Sequence, residues 1–262
     1  MTKVGVVTLG GYHNYGNRLQ NAALIYALKN KMSVDAFTIV NWGNSKKIYN
    51  ITRLRNIVGF IKKIGFNYFI QKKRLNEFIN FSNLFSNEYK SRKNLTKYEI
   101  PFNDFDYIVV GSDQVWANWL TPKEMEYFML SSVPSIKRIA YAASMGNPNL
   151  RVDSEFIFDR EIKKFTKISV REKAAEDYIE SKIEKKVPVV LDPTMLLSQQ
   201  NWLELLDGLE NPFVNKSKYI FTYFLSKPSK KMKKIMKDLK KEGYWFINFN
   251  SKVPMSRKYY GL

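Results

Sequence analysis

Residues 4–20 read Val4-Gly5-Val6-Val7-Thr8-Leu9-Gly10-Gly11-Tyr12-His13-Asn14-Tyr15-Gly16-Asn17-Arg18-Leu19-Gln20. The run 4–9 is β-branched and aliphatic, as suits a strand covered on both faces. Residues 10–17 are turn chemistry. From Leu19 the residues Leu19, Ala22, Ala23, Tyr26 and Ala27 keep one helical face. A second strand is expected over 35–41. Two strands joined through one helix make a parallel, right-handed βαβ unit, and that unit sets the fold class.

The alternation continues outward from this unit. Strands are expected over 107–110, 138–143, 167–170 and 187–191, and helices over 154–165 and 172–181. Thr121-Pro122-Lys123-Glu124 has the form of a capping box with proline at the first helical position, so a helix starts there. Asp192-Pro193 stops the strand before it. A polar segment with Pro212 follows, then a strand over 219–225, a very basic helix over 230–241 and a short strand over 244–248. The pattern is α/β with a mainly parallel sheet. It divides into a Rossmann-like domain over 1–206, a linker over 207–218 and a smaller, incomplete α/β domain over 219–262.

The 262 residues include no cysteine and one histidine, His13. Disulfides, thiolate metal sites and a cysteine nucleophile are thereby excluded, as is a histidine-rich metal centre within one chain. No metal is expected. Net charge is +19, which draws phosphorylated ligands, polyanions and anionic lipid. Residues 45–100 hold thirteen Lys or Arg against three Glu. Apolar residues recur there at helical spacing (Leu54, Ile57, Val58, Ile61, Ile64). The segment reads as a basic helical insertion, either a solvated face or a surface that docks on anionic lipid or polymer. No uninterrupted apolar run reaches the ~18 residues of a membrane span. The expected location is cytoplasmic, with peripheral contact at the inner face of the plasma membrane. Charge alone, without a recognisable reading module, does not make a nucleic-acid binder.

In parallel α/β sheets ligands sit outside the carboxyl ends of the strands. The unusual polar residues fall at those ends, in five separated stretches. Gly10 and Gly11 with the following helix start suit an anionic group, or simply make a tight turn. Asn14, Asn17 and Gln20 add amides able to read sugar hydroxyls. His13, with an ordinary pKa near 6.5, can act as general acid or base, or as a satisfied hydrogen-bonding residue. Ser112, Asp113, Gln114 and Trp116 follow the strand at 107–110. Asp113 can take a proton from a sugar hydroxyl, or cap a helix. Ser144 lies at the next strand end. Arg171 can hold carboxylate or phosphate in bidentate fashion, or pair with a nearby acid. Glu172 follows it, and Asp192-Pro193-Thr194 reads as a strand closure.

These residues resemble the polysaccharide pyruvyl transferases. The matching stretches are Asn14-Tyr15-Gly16-Asn17-Arg18-Leu19-Gln20 with Ala23-Leu24, Val110-Gly111-Ser112-Asp113-Gln114-Val115-Trp116, Tyr141-Ala142-Ala143-Ser144-Met145-Gly146, Ser169-Val170-Arg171-Glu172 and Val190-Leu191-Asp192-Pro193-Thr194. The resemblance implies transfer of the enolpyruvyl group of phosphoenolpyruvate to two sugar hydroxyls as a cyclic ketal, with release of phosphate. It implies a two-domain fold similar to GT-B glycosyltransferases, a saccharide or lipid-linked saccharide acceptor, and no cofactor beyond the donor substrate. Asp113, Arg171 and His13 would be catalytic. Gly10, Gly11, Asn14, Asn17, Gln20, Ser112, Gln114, Trp116, Ser144 and Glu172 would line the substrate pocket. The family pattern also implies a later Ser-Phe-His-Gly-like segment, which the 262 residues do not contain. The expectation is therefore impaired ketal formation unless a second copy or another chain completes the cleft. The competing readings are a glycosyltransferase using a nucleotide-sugar, and a non-catalytic relative binding an anionic polymer or membrane.

Overall fold

The computed structural model describes residues 1–10, 14–39, 75–89, 98–207, 218–224 and 227–250. The chain divides into two compact units. The first takes its described residues from Met1–Thr52 and Phe78–Leu205, the second from Arg53–Glu77 and Leu206–Leu262.

In the first unit, β1 (Lys3–Val7), α1 (Tyr15–Met32) and β2 (Asp35–Thr38) form the expected βαβ unit. Residues 75–85 are helical (α2). Then come β3 (Tyr107–Val110), α3 (Pro122–Phe128), β4 (Arg138–Ala143), α4 (Val152–Ile162), β5 (Lys167–Val170), α5 (Lys173–Ile183) and α6 (Gln199–Leu205). The five strands pair in parallel in the order β2-β1-β3-β4-β5. Strand order reverses between β1 and β3, and open α/β sheets hold their ligands at such a point, outside the carboxyl ends of the strands.

Both faces of the sheet are covered. Val4 and Val6 point to one side, where they pack with Leu24, Ile25 and Leu28 of α1. Val7, Ile108, Val110 and Ala140 point to the other, into a larger core with Trp116, Met125, Phe128, Phe158 and Ile162. Gly5 lies where a Cβ would meet the Ile39 and Ile108 Cδ1 atoms at 2.7 and 2.9 Å, so a side chain there would make those isoleucine ends shift. The capping box forms as its sequence predicts: Thr121 and Glu124 satisfy each other's backbone N–H.

The structure changes several expectations. The segment 187–191 is not a ladder strand. Val189 makes one parallel bridge with Val170, because Pro188 has no N–H to give and interrupts pairing. Asp192-Pro193-Thr194 begins a 3₁₀ turn, Pro193–Met195, with Asp192 as its cap. Helix α6 has no counterpart in the sequence reading. The basic insertion falls outside the described residues over 45–74 and 90–97, as does the linker over 208–217.

Among its described residues the second unit holds a small parallel βαβ: β6 (Tyr219–Phe224), α7 (Lys230–Lys241) and β7 (Trp245–Asn250). The basic helix spans 230–241 as expected.

At the end of β3, Gly111 has φ +122, and a Cβ there would come within 2.1 Å of the Tyr141 carbonyl oxygen. Neither the conformation nor the space admits a side chain. Gly111→Ala is expected to cost about 2–4 kcal/mol, as strain and overpacking combine. Urea unfolding measures it, and an unchanged midpoint would contradict this packing.

Candidate functional site

Thr8, Gln20, Ser112 and Asp192 come from four separate segments and meet at the carboxyl ends of β1 and β3. Ser112 is fully buried. Its amide donates to Gln20 Oε1 at 3.1 Å, and its carbonyl accepts from Thr8 Oγ1 at 2.9 Å. Gln20 Nε2 donates in turn to Thr8 Oγ1 at 2.8 Å. The single hydroxyl proton of Ser112 is shared between the Ala142 carbonyl at 3.0 Å and Asp192 Oδ2 at 3.1 Å. The backbone either side is shaped to allow this. Asp113 has φ +81 and Ala142 has φ +48, and β4 carries an irregular register between Ala140 and Ala143. Ser169 Oγ supports that irregularity by accepting from the Ala142 amide at 3.1 Å.

Asp192 holds the site's cation. Its Oδ2 accepts from Arg171 Nη1 at 2.8 Å, while Oδ1 accepts from the Thr194 amide and hydroxyl at 3.0 and 2.7 Å. Burial alone would raise its pKa. The Thr194 hydrogen bonds and then Arg171 outweigh that burial and hold the carboxyl below the usual aspartate range. Asp113 Oδ1 lies 3.8 Å from Arg171 Nη2, and Glu172 Oε2 lies 3.9 Å from Arg171 Nε. Three carboxylates thus surround one guanidinium. Of the two readings of Arg171, the geometry displays the ion pair. Sequence reading left Asp192 out of the site. The signal was present in Asp192-Pro193-Thr194, but its reach to Arg171 and Ser112 is a tertiary fact.

Glu172 is occupied with backbone. Its Oε1 accepts from Ser144 Oγ at 2.8 Å and from the amides of Met145 and Gly146 at 2.9 and 3.0 Å. It shapes the turn after β4. The Gln114 side chain is exposed and lies where a Cβ on Gly146 would fall, 2.7 Å from its Nε2. Asn14 is the exposed N-cap of α1, accepting from the Asn17 amide at 3.3 Å. Asn17 is buried, and its Oδ1 has no hydrogen-bond partner among the described residues. Gly10 is half-buried at the end of this loop. Gly11 and His13 lie outside the described residues.

Trp116 is a correction. Its ring is wholly buried, edge-on to Phe158 and Phe165, and its indole N–H donates to the Phe128 carbonyl at 3.2 Å. It belongs to the core and is closed to a ligand. The sequence reading placed it at a strand end and could not see that the chain turns inward after Asp113. Ser112, Ser144 and Gln20 are likewise buried. Their polar atoms are spent on protein partners: Gln20 on Ser112 and Thr8, Ser112 on Ala142 and Asp192, Ser144 on Glu172.

No group of three or more His, Asp or Glu suited to a metal ion occurs among the described residues. Among them, no helix is long and apolar enough to cross a membrane.

The depressed Asp192 pKa has a defined sign. A carboxyl whose pKa falls on folding adds stability that is fully present above the unfolded value near ~4 and is lost as pH drops through the folded value. Asp192→Asn is expected to cost about 1–3 kcal/mol at neutral pH, the range for losing charge-assisted hydrogen bonds. The gap to wild type should narrow below about pH 4. Unfolding curves at neutral and acid pH give both numbers, and a gap independent of pH would remove the ion pair from the account.

The sequence has no match among curated proteins. A solved structure, the S. aureus MnaA–UDP co-structure, is similar at 13% identity and a TM-score of 0.41, covering 97% of this chain and 63% of that one. The chain thus spans about 63% of the length of that relative. The family model for polysaccharide pyruvyl transferase matches residues 14–257. That span takes in every described element from α1 to β7, and the chain belongs to the polysaccharide pyruvyl transferase family.

Proposed function

We propose that this chain transfers the enolpyruvyl group of phosphoenolpyruvate to two hydroxyls of a saccharide, forming a cyclic pyruvate ketal. The observation that carries the reading is the meeting of the 8–20, 111–114, 144–146, 171–172 and 192–194 segments at one sheet edge, within a chain of this family. In the reaction a proton adds to the methylene carbon and the first hydroxyl bonds to C2. The second hydroxyl then bonds to C2 as the C–O bond to phosphate breaks. One inorganic phosphate leaves for each ketal formed.

The residues divide by charge. The Arg171 cluster has more carboxylates than cations, which favours hydroxyl donors over a second anion. We therefore assign the acceptor to that side. Asp113 Oδ1 accepts from the Gln114 amide at 2.9 Å, while no hydrogen bond to Oδ2 occurs among the described residues. Asp113 is then the base for an acceptor hydroxyl, with Arg171 orienting it. We assign the donor's carboxylate and phosphate to the N-terminus of α1, an 18-residue helix whose leading amides carry partial positive charge. His13, which precedes that helix in the sequence, is the proposed proton donor to the methylene carbon.

The test is phosphate release from phosphoenolpyruvate with β-galactosyl, mannosyl and N-acetylmannosaminyl acceptors. Release that depends on acceptor, with a ketal detected in the product, is expected. Asp113→Asn should lower turnover by about 10²–10⁴-fold, as for loss of a general base, and leave phosphoenolpyruvate affinity within a few-fold. Turnover of a nucleotide-sugar, with phosphoenolpyruvate neither bound nor consumed, would overturn the reading.

A further inference from the structure

Helix α7 reads Lys230-Lys231-Met232-Lys233-Lys234-Ile235-Met236-Lys237-Asp238-Leu239-Lys240-Lys241, seven lysines and one acid. All seven lysines are exposed. Asp238 pairs with Lys241 at 3.7 Å. The other six have no carboxylate in ion-pair reach among the described residues. Twelve residues at 1.5 Å rise make a rod of roughly 18 Å, so these ammonium groups repel one another at distances that salt screens only in part. Ser229 caps the helix by accepting from the Met232 amide at 3.2 Å. This charge is therefore presented on a formed helix.

The apolar residues are placed with equal regularity. Met232, Ile235, Met236 and Leu239 share one stripe at 3.6 residues per turn. Met236 and Leu239 are half-buried, and Lys240 Nζ lies over the Phe246 ring at 5.8 Å. That edge of the helix faces the β6–β7 ribbon. Met232 and Ile235 remain 39% and 42% exposed among the lysines. A helix that only needed solubility would not hold these two in a field of like charge. A surface that satisfies both features offers phosphate to the lysines and hydrocarbon to Met232 and Ile235. Lysine suits this, since its stem can lie along the apolar layer while the ammonium reaches the headgroups. A nucleic acid would supply the phosphates and nothing for the exposed apolar pair. The helix also lacks arginine, the residue that holds phosphates in a bidentate fork and stacks on bases.

We propose that α7 docks the protein on an anionic lipid surface. It does not depend on which reaction the first unit performs. The test is co-sedimentation of the full chain with vesicles of phosphatidylcholine, with and without phosphatidylglycerol. Binding is expected only with the anionic lipid, and it should fall steeply between about 50 and 500 mM salt as the Debye length shrinks. Lys231→Gln with Lys234→Gln and Lys237→Gln should weaken it at least about tenfold, since each lysine near the surface contributes separately. Met232→Ser with Ile235→Ser should also weaken it several-fold. All five positions are exposed, so circular dichroism should show an unchanged fold in both variants. Three results would overturn the proposal: no binding to anionic vesicles at low salt, a triple lysine variant that binds as wild type, or a serine variant that binds as wild type. The last would mean a general polyanion site, and duplex DNA would then compete with vesicles equally in both proteins.

Discussion

The hydroxyl and both backbone groups of Ser112 are used at once, and everything at the carboxyl edge of the sheet depends on that. Through them β3 is tied to Gln20 of α1, to Thr8 after β1, to the Ala142 carbonyl of β4 and to Asp192 after the bridge beside β5. A buried polar group left unpaired costs about 1–3 kcal/mol. The four partners therefore cannot drift independently. Gly111 makes the arrangement possible, since its missing Cβ lets β3 pass against the Tyr141 carbonyl. Strand order reverses between β1 and β3, so this node lies where open α/β sheets hold their ligands.

β4 is held at both ends by different means. At its start, Arg138 is buried and gives all its reach to protein: Glu161 at 2.7 Å, the Val133 carbonyl at 2.6 Å and the Ser131 carbonyl at 3.1 Å. Glu161 also accepts from Arg160 and Lys164. Burial would raise its pKa, but the Arg138 hydrogen bond leads the contacts that hold it below the ordinary glutamate range. A buried pair of this kind adds little net stability over an apolar one, yet breaking it is costly, so it fixes position. At the other end of β4 the backbone bends, and Glu172 gathers three hydrogen bonds to set the following turn. A rigid base and a shaped rim are what a substrate-positioning edge requires.

Charge is distributed against the trend of the whole chain. The protein is +19 overall, but Arg171 sits among Asp113, Glu172 and Asp192. The excess positive charge appears instead on α7 and in the basic insertion. The cluster around Arg171 and the lysines of α7 therefore differ in the balance of charge they present.

The α/β class, the strand-helix alternation apart from α6 and the 187–191 segment, and the carboxyl-edge location of the polar motifs were legible in the sequence. They follow from local patterns: the apolar run at 4–9, the helical face from Leu19, and the Thr121–Glu124 capping box. Strand status for 187–191 was not legible, because one proline outweighed four apolar neighbours. Nor were the roles of individual site residues. Trp116 and Asp113 stand three residues apart at the same strand end, yet one is sealed in the core and the other is half-buried beside Arg171. Asp192 looked like a strand closure and proved to be the anchor of Arg171. Secondary structure depends on neighbours within a few residues, which a sequence displays directly. Burial and pairing depend on contacts such as Ser112 with Gln20, 92 positions apart, and only the folded chain decides those.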